Sequence, residues 1–392
     1  MPTKTSAPTV KKLQSLLARI GSVTAGKREV LVNRLNHDLG KPRMSISKRA
    51  TRILSIDMGI KNLAFCVADV KGGETLKNSG EVEMKIQAWR RLDVAEEVFK
   101  SSQQLLSSKT NENLEEDEQD PYAPSALSRT AYALLTHSLL PFNPDIILIE
   151  RQRWRSASGI AIQQWTVRVN TLEGMLWAIL TALRVEARKK ENKGESNSSR
   201  TYDVFGVDPK RVGFFWIGEE VRAMALNLPT AIVEDMASGP KGGVGDIIGN
   251  SKKPLKKLSR GKAEKKAKIQ LVRSWLSSNP PRTTVMEINE QNDGMKASIP
   301  TISFAFSNEA DTTKKALCVT ILKDGERVRA RDGVIDLKKL DDVADCFLQA
   351  AAFVAWERNR QTLKHDWDTK NGRLRDFDTK NGKKLKPRKA LK

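Results

Sequence analysis

Almost everything needed for a disulfide frame, a zinc site or a membrane span is missing from this chain. Its 392 residues include three cysteines and three histidines. Cys66, Cys318 and Cys346 are widely spaced inside apolar patterns, which fits reduced core thiols and not a disulfide frame or zinc site. His37, His137 and His365 are just as scattered, so a histidine-based metal site or catalytic triad is not supported. No segment approaches the roughly 18 consecutive apolar residues of a membrane helix. Acidic residues are in deficit too: 68 Lys and Arg stand against 47 Asp and Glu, a formal net charge of +21. That balance points to a polyanionic partner, nucleic acid first. The basic runs lack the apolar face of an interfacial helix, which argues against a membrane surface. A chain this long can bury one large core and carry an accessory module.

Against that background a few carboxylates sit where carboxylates are costly. Arg52 to Val67 reads RILSIDMGIKNLAFCV, two short buried strands joined by a turn at Gly59. Asp57 lies in the first of them, where an unpaired charge costs several kcal/mol of desolvation, about 3–5 by mutational precedent. A metal ion or an incoming hydroxyl would offset that cost, so Asp57 is the first catalytic candidate. A second apolar strand, Asp145-Ile-Ile-Leu-Ile-Glu150, ends in a carboxylate. Ligands of open α/β sheets bind just outside the carboxyl ends of the strands, which makes Glu150 the second candidate. Its plainer role would be a salt bridge with Arg151, Arg153 or Arg155. The third group is Asp341-Asp342-Val-Ala-Asp345, opening a helix that continues CFLQAAAFVAW. Asp341 and Asp345 are i,i+4 and Asp342 and Asp345 are i,i+3, so either pair can address one point. Capping of a helix N-terminus explains the first two but not Asp345, one turn inside.

Composition divides the chain. Residues 1–8 are a basic tail, and the first acidic residue is Glu29, a pattern that a mitochondrial presequence or a short disordered tail would both give. In residues 9–42, Val10, Leu13, Leu16, Leu17 and Ile20 mark one helix ended by Gly21, and Val30, Leu31 and Leu35 mark a second. With the linker Thr24-Ala-Gly-Lys-Arg28 this unit resembles a SAP motif, a small helical DNA-binding module, with Lys27, Arg28 and Arg34 as its phosphate contacts. The alternative is a helical hairpin that only packs on the main domain. Residues 51–358 alternate strand and helix patterns, which predicts an α/β sheet domain. Polar insertions interrupt it at 107–124, 188–200, 238–260 and 277–299, and nine basic residues crowd Lys252–Lys268 around Glu264 alone. From 359 to 392 the chain reads as a basic tail, disordered or fraying, with the repeat DWDTKNGRLR–DFDTKNGKKL. Trp367 and Phe377 of that repeat could stack on bases or dock on a partner, or the tail is inert.

An aspartate on a first strand, a glutamate at a later strand end and paired aspartates on a late helix follow the order of RNase H-like nucleases. The segments SIDMGIKNLAF, IERQRWRSASGIAIQQWTVRVNTLEGML, VFGVDPKRVGFFW and DDVADCFLQA resemble the fungal mitochondrial Holliday-junction resolvases, cruciform-cutting endonucleases distantly related to bacterial RuvC. Gly261 to Val272 is similar to the lysine-bearing helix of RuvC. The resemblance implies an RNase H-like mixed sheet flanked by helices, and cleavage of four-way DNA junctions to 5′-phosphate and 3′-hydroxyl ends. It implies two Mg²⁺ ions per site, with Mn²⁺ as a substitute, held by Asp57, Glu150 and Asp345. A fourth ligand would come from Asp341, by the spacing of the yeast-type enzymes, or Asp342, by that of RuvC, with Asp341 favoured. Lys61, Arg151, Arg153, Arg155, Lys265, Lys266 and Lys268 would contact DNA phosphates. The resemblance also implies mitochondrial residence, the nucleus being the alternative, and a homodimer. Trp165, Val169, Leu172, Leu176, Ile179 and Leu183 form an apolar stripe that could be its seam or could pack on the chain's own sheet. Two other classes compete. An actin- or Hsp70-type ATPase would need late Gly-rich phosphate loops, and a non-catalytic SAP-type scaffold would leave Asp57 and Glu150 unexplained.

Overall fold

The computed structural model describes residues 8–44, 46, 49–72, 82–94, 96, 120–152, 164–193, 201–226, 260–283, 287–288, 297–298, 300–318 and 340–380. The chain divides into two compact units, Ile46–Val354 and a second assembled from both ends, Met1–Ser45 with Ala355–Lys392. The helices are α1 (Val10–Arg19), α2 (Arg28–Gly40), α3 (Pro124–Ala133), α4 (Gln164–Asn192), α5 (Pro209–Leu226), α6 (Arg260–Ser277), α7 (Asn308–Cys318) and α8 (Leu340–Lys380).

In the larger unit β1 (Thr51–Asp57), β2 (Leu63–Gly72) and β3 (Val82–Leu92) form an antiparallel meander. β4 (Ile146–Glu150) and β5 (Asp203–Val207) continue the sheet parallel to β1 on its other side. β6 (Glu287–Ile288) and β7 (Ala297–Ser298) pair apart from it, and β8 (Ile302–Phe306) closes the far edge parallel to β3. The spatial order β5-β4-β1-β2-β3-β8 is the mixed, RNase H-like sheet that the motifs imply. Alternation along a strand assigns the faces. Leu54 and Ile56 of β1, with Ile147 and Ile149 of β4, join a core with α3 and with Val169, Leu172, Leu176 and Leu180 of α4. Ser55 and Asp57, the alternate residues of β1, therefore belong to the opposite face, as do Leu148 and Glu150 of β4. That face meets α8, where Ser55 Oγ donates to the Cys346 carbonyl at 2.8 Å. Aromatic rings fill the same side, Phe347 of α8 lying 4.8 Å from Trp89 and 5.0 Å from Phe304 between ring centroids. Edge-to-face and offset arrangements at such spacings add about 0.5–1.5 kcal/mol each beyond burial.

Of the two readings of the apolar stripe on α4, the structure takes packing on the chain's own sheet: Leu172 and Leu176 are fully buried in its core. A helix laid on a sheet needs an apolar stripe of its own, and that stripe has the same spacing as a seam. Of the seam residues only Trp165 is markedly open to solvent, at 40%. Cys66 and Cys346 are buried as expected, but Cys318 ends α7 exposed. No described helix is long and apolar enough to cross a membrane.

The smaller unit has its own core. Leu13, Leu16, Leu17 and Ile20 of the first helical segment pack with Leu31, Leu35 and Leu39 of α2 and with Leu363 of α8. Gly21 turns the chain at a φ of +66°, and a Cβ there would also run into the Trp356 indole. The carbonyls left at the end of α1 are met by α8: Asn359 Nδ2 donates to Arg19 O at 2.8 Å and Arg360 Nη2 to Ile20 O at 3.0 Å. Glu357, itself buried against Arg360, accepts from the Arg43 amide at 2.9 Å. The sequence reading put an N-terminal module and a C-terminal tail in separate places; the structure makes residues 355–363 part of the module's core and continues the helix to Lys380. Physically, a pair of short amphipathic helices cannot close a core alone. The side chains of Trp367 and Phe377 lie outside the described residues, as do most of the polar insertions.

Candidate acidic centre

Asp57 is the last residue of β1 and Glu150 the last of β4. The register Ser55↔Leu148 and Ile56↔Ile149 sets the two carboxylates side by side as the strands leave the sheet. The turn after Asp57 is held tight by Gly59, where a Cβ would come within 2.8 Å of the Asn62 carbonyl oxygen. Across the same face α8 brings Asp342 and Asp345, one helical turn apart. Asp57 is 9% exposed. Its burial, the charge of Glu150, a hydrogen bond shared with Glu150, and the charges of Asp345 and Asp342 all push its pKa well above the ordinary 3.8. All of these causes favour the neutral form of Asp57 over its carboxylate. Asp345 is raised to about 6, chiefly by burial, with Lys268 acting in the other direction.

Lys268 is the residue that sequence reasoning misplaced. It belongs to the basic run taken as a DNA-facing surface, but it is 7% exposed and its Nζ lies 2.9 Å from Asp345 Oδ1. That contact is an ion pair without the alignment of a hydrogen bond. Glu264, the lone acid of the run, stands one turn away at 4.0 Å from the same Nζ. The i,i+4 spacing of Glu264 and Lys268 was the available signal. Lys265, exposed, pairs with Asp341. The structure therefore engages Asp341 with a lysine while Asp342 adds to the field on Asp57. Glu173 of α4 was also missed: its carboxylate accepts from the Gln152 amide at 3.0 Å, and burial leads in raising its pKa, Glu150 adding to it.

The remaining candidates are spread more widely. Lys61 sits in the turn after Asp57 with its Nζ 5.9 Å from the Trp165 ring. Arg151, directly after Glu150, is exposed and lies along Gly206, where a Cβ would meet its Nε at 2.5 Å. Lys266 is half-buried on α6. Arg153 and Arg155 lie outside the described residues. In the smaller unit Lys27 and Arg28 are exposed, and Arg34 Nη1 donates to the Val23 and Ala25 carbonyls at 2.8 Å each, bracing the linker as well as offering charge.

Among the described residues no three acidic, histidine or cysteine side chains converge closely enough to cage an ion. Asp57 and Glu150 share a hydrogen bond, and lysines hold Asp345 and Asp341. The donor set still fits a hard divalent cation: it is all oxygen, drawn from three elements, and Asp57 is buried among like charges. An RNase H-like sheet with carboxylates at the exits of two adjacent parallel strands and on a crossing helix defines a protein with a buried acidic centre at the strand ends. The chain belongs to the family described as mitochondrial resolvase Ydc2 / RNA splicing MRS1, whose family model matches residues 53–363. It is 24% identical over 388 residues to the mitochondrial cruciform cutting endonuclease 1 of Saccharomyces cerevisiae, covering 96% of this chain and 91% of that protein. The namesake of Schizosaccharomyces pombe is 28% identical over 205 residues, which is 52% of this chain and 65% of that protein, just under two thirds of its length. Among solved structures, the yeast mitochondrial Holliday junction resolvase Ydc2 aligns over 92% of this chain and 98% of its own, with a TM-score of 0.46 and 19% identity. Thermus thermophilus RuvC aligns over 49% of this chain and 85% of its own, with a TM-score of 0.22 and 15% identity.

Proposed function

We propose that the chain is a structure-selective endonuclease that resolves four-way DNA junctions by paired, divalent-metal-dependent hydrolysis, leaving 5′-phosphate and 3′-hydroxyl ends. The observation that carries this reading is the burial of Asp57 against Glu150, Asp342 and Asp345. The family's description couples a resolvase with an RNA-splicing protein, so membership alone does not decide between cutting and binding. A binding protein needs no such cluster, whose like charges raise the pKa of Asp57 and Asp345 and cost stability when charged. The names of the relatives, cruciform cutting endonucleases, support the same substrate, and their mitochondrial designation supports residence there.

In this reading Asp57, Glu150, Asp345 and Asp342 hold two ions, Mg²⁺ by preference and Mn²⁺ as substitute. Asp342 is taken as the fourth member because its charge acts on Asp57, whereas that of Asp341 acts on Asp345. Bound there, the ions supply Lewis-acid activation of water and relief of phosphate charge. The protein's own residues do the rest. Lys268 keeps Asp345 ionised in the absence of substrate, Gly59 lets the chain turn sharply beside Asp57, and Lys61, Arg151, Lys265 and Lys266 face the phosphates. Lys27 and Arg28 of the smaller unit add sequence-independent affinity. Two cuts in one junction call for two copies of the chain.

One gel decides the reading. Purified protein with Mg²⁺ cuts a four-way junction in paired strands and spares linear duplex and RNA–DNA hybrid. Binding without cleavage of any of the three would assign the chain to the non-catalytic branch. The helix aspartates give a finer check. Asp342→Asn should lose cleavage about a hundredfold or more, as metal-site changes do, and Asp341→Asn should retain most of it. Equal mild losses would make both of them helix caps.

A further inference from the structure

The ligand-bearing elements are held in register by a side chain that carries no charge. Gln349 lies on α8 one turn after Asp345 and is 3% exposed. Its Nε2 lies 3.0 Å from Ser55 Oγ, 3.2 Å from Ile56 O and 3.5 Å from Leu148 O. Ile56 immediately precedes Asp57, and Leu148 stands two residues before Glu150 and so on the same face. One amide group thus touches both strands that carry the sheet carboxylates and belongs to the helix that carries the others. The Ser55 hydroxyl can accept from Gln349 because its own hydrogen is given to Cys346 O. That second link returns to α8 three residues before Gln349, closing a small loop of hydrogen bonds around the root of Asp57.

We propose that Gln349, with Ser55, is a positioning residue of the acidic centre: it ties the strands that carry Asp57 and Glu150 to the helix that carries Asp345, so that binding an ion has only the side chains left to draw together. This rests on the nuclease reading above. The strands alone cannot do it, since the ladder between β1 and β4 ends at Ile56↔Ile149, and Asp57 and Glu150 are paired outward instead, with Ala64 and Val207 on two different strands. Helix packing alone cannot do it either, because apolar contacts tolerate small slides that a directional hydrogen bond resists. Only two hydrogens serve the three acceptors, so the amide leans on β1 with the two shorter bonds and touches β4 with the longest. A hydrocarbon of the same length would fill the space and leave the carbonyls of Ile56 and Leu148 without this donor.

The test is Gln349→Met, with Ser55→Ala as the second variant, each compared with wild type well below its melting temperature. Three quantities are measured: Mn²⁺ affinity by calorimetry without DNA, junction affinity in Ca²⁺, and single-turnover cleavage in Mg²⁺. Gln349→Met should weaken Mn²⁺ binding and slow cleavage about tenfold each, with junction affinity within about twofold because the basic surface is untouched. Ser55→Ala should show the same pattern, reduced to about threefold. Gln349→Asn, which keeps the amide but shortens its reach, should recover neither quantity. Wild-type Mn²⁺ affinity and cleavage in a folded Gln349→Met, even with a lowered melting temperature, would reduce the residue to packing and overturn the proposal. If Gln349→Met does not fold, wild-type values for Ser55→Ala overturn it instead. A wild-type protein that neither binds Mn²⁺ nor cuts would refute the nuclease reading itself.

Discussion

Asp57→Asn protein should bind four-way junctions as tightly as wild type or more tightly, and cut them at least about a thousandfold more slowly, a barrier increase of about 4 kcal/mol. On the nuclease reading the change removes a metal ligand and leaves the basic surface that binds phosphates untouched. Its second consequence is opposite in sign and separates the site from a structural carboxylate. Burial and the charges of Glu150, Asp345 and Asp342 put the folded-state pKa of Asp57 above its unfolded value. Such a group contributes stability that is complete below about pH 4 and is lost as pH rises through the folded-state value. Asp345 acts in the same sense with a value of about 6. Metal-free wild type should therefore lose melting temperature between pH 5 and pH 8 (a window of roughly three units chosen to span that loss), and Asp57→Asn should lose less. Added Mg²⁺ should raise the melting temperature of wild type, because an ion that binds only the folded state stabilises it, and should do so much less for the variant. Unchanged cleavage, or identical pH dependence of the two proteins, would remove Asp57 from the centre.

The strand carboxylates were legible because burial and charge conflict within a single short segment. Asp57 sits in RILSID with no basic residue on its own face of the strand, and Glu150 stands at the end of DIILIE, where the arginines that follow offered it a plainer role. Asp345 could be separated from the capping aspartates by its depth in the helix alone. What could not be read depends on contacts between segments far apart in the chain. Lys268 is one lysine among many until α6 is laid beside α8, and only then does its neighbour become Asp345. Gln349 lies in a run of alanines and aromatics that reads as plain core, and its role exists only where β1, β4 and α8 meet. The smaller unit repeats the lesson. Its two helices were visible from their periodicity, but Leu363, Asn359 and Arg360, which complete it, are more than 300 residues away in sequence. The choice between Asp341 and Asp342 is similar: spacing permits both, and that Asp341 lies beside Lys265 is visible only in the fold.

Leu176→Glu should abolish folding of the larger unit and not merely separate two copies of the chain. Leu176 is fully buried with Leu54, Ile56, Ile147 and Ile149 beneath α4. Truncating a buried leucine costs about 2–5 kcal/mol, and a buried carboxylate without a partner about 3–5 more. Together these approach the whole stability of an ordinary domain, about 5–15 kcal/mol. The solvent side of the same helix makes the comparison. Val185 is 44% exposed, and Val185→Glu should change stability by no more than about 0.5 kcal/mol. Sedimentation and circular dichroism read both variants. If α4 forms part of a subunit contact, its outer side must supply it, and Val185→Glu then lowers the mass with the melting temperature unchanged. A folded, monomeric Leu176→Glu protein would return the seam to the buried stripe. The packing argues against that result, because a side chain already enclosed by its own sheet has no surface left to offer a second copy.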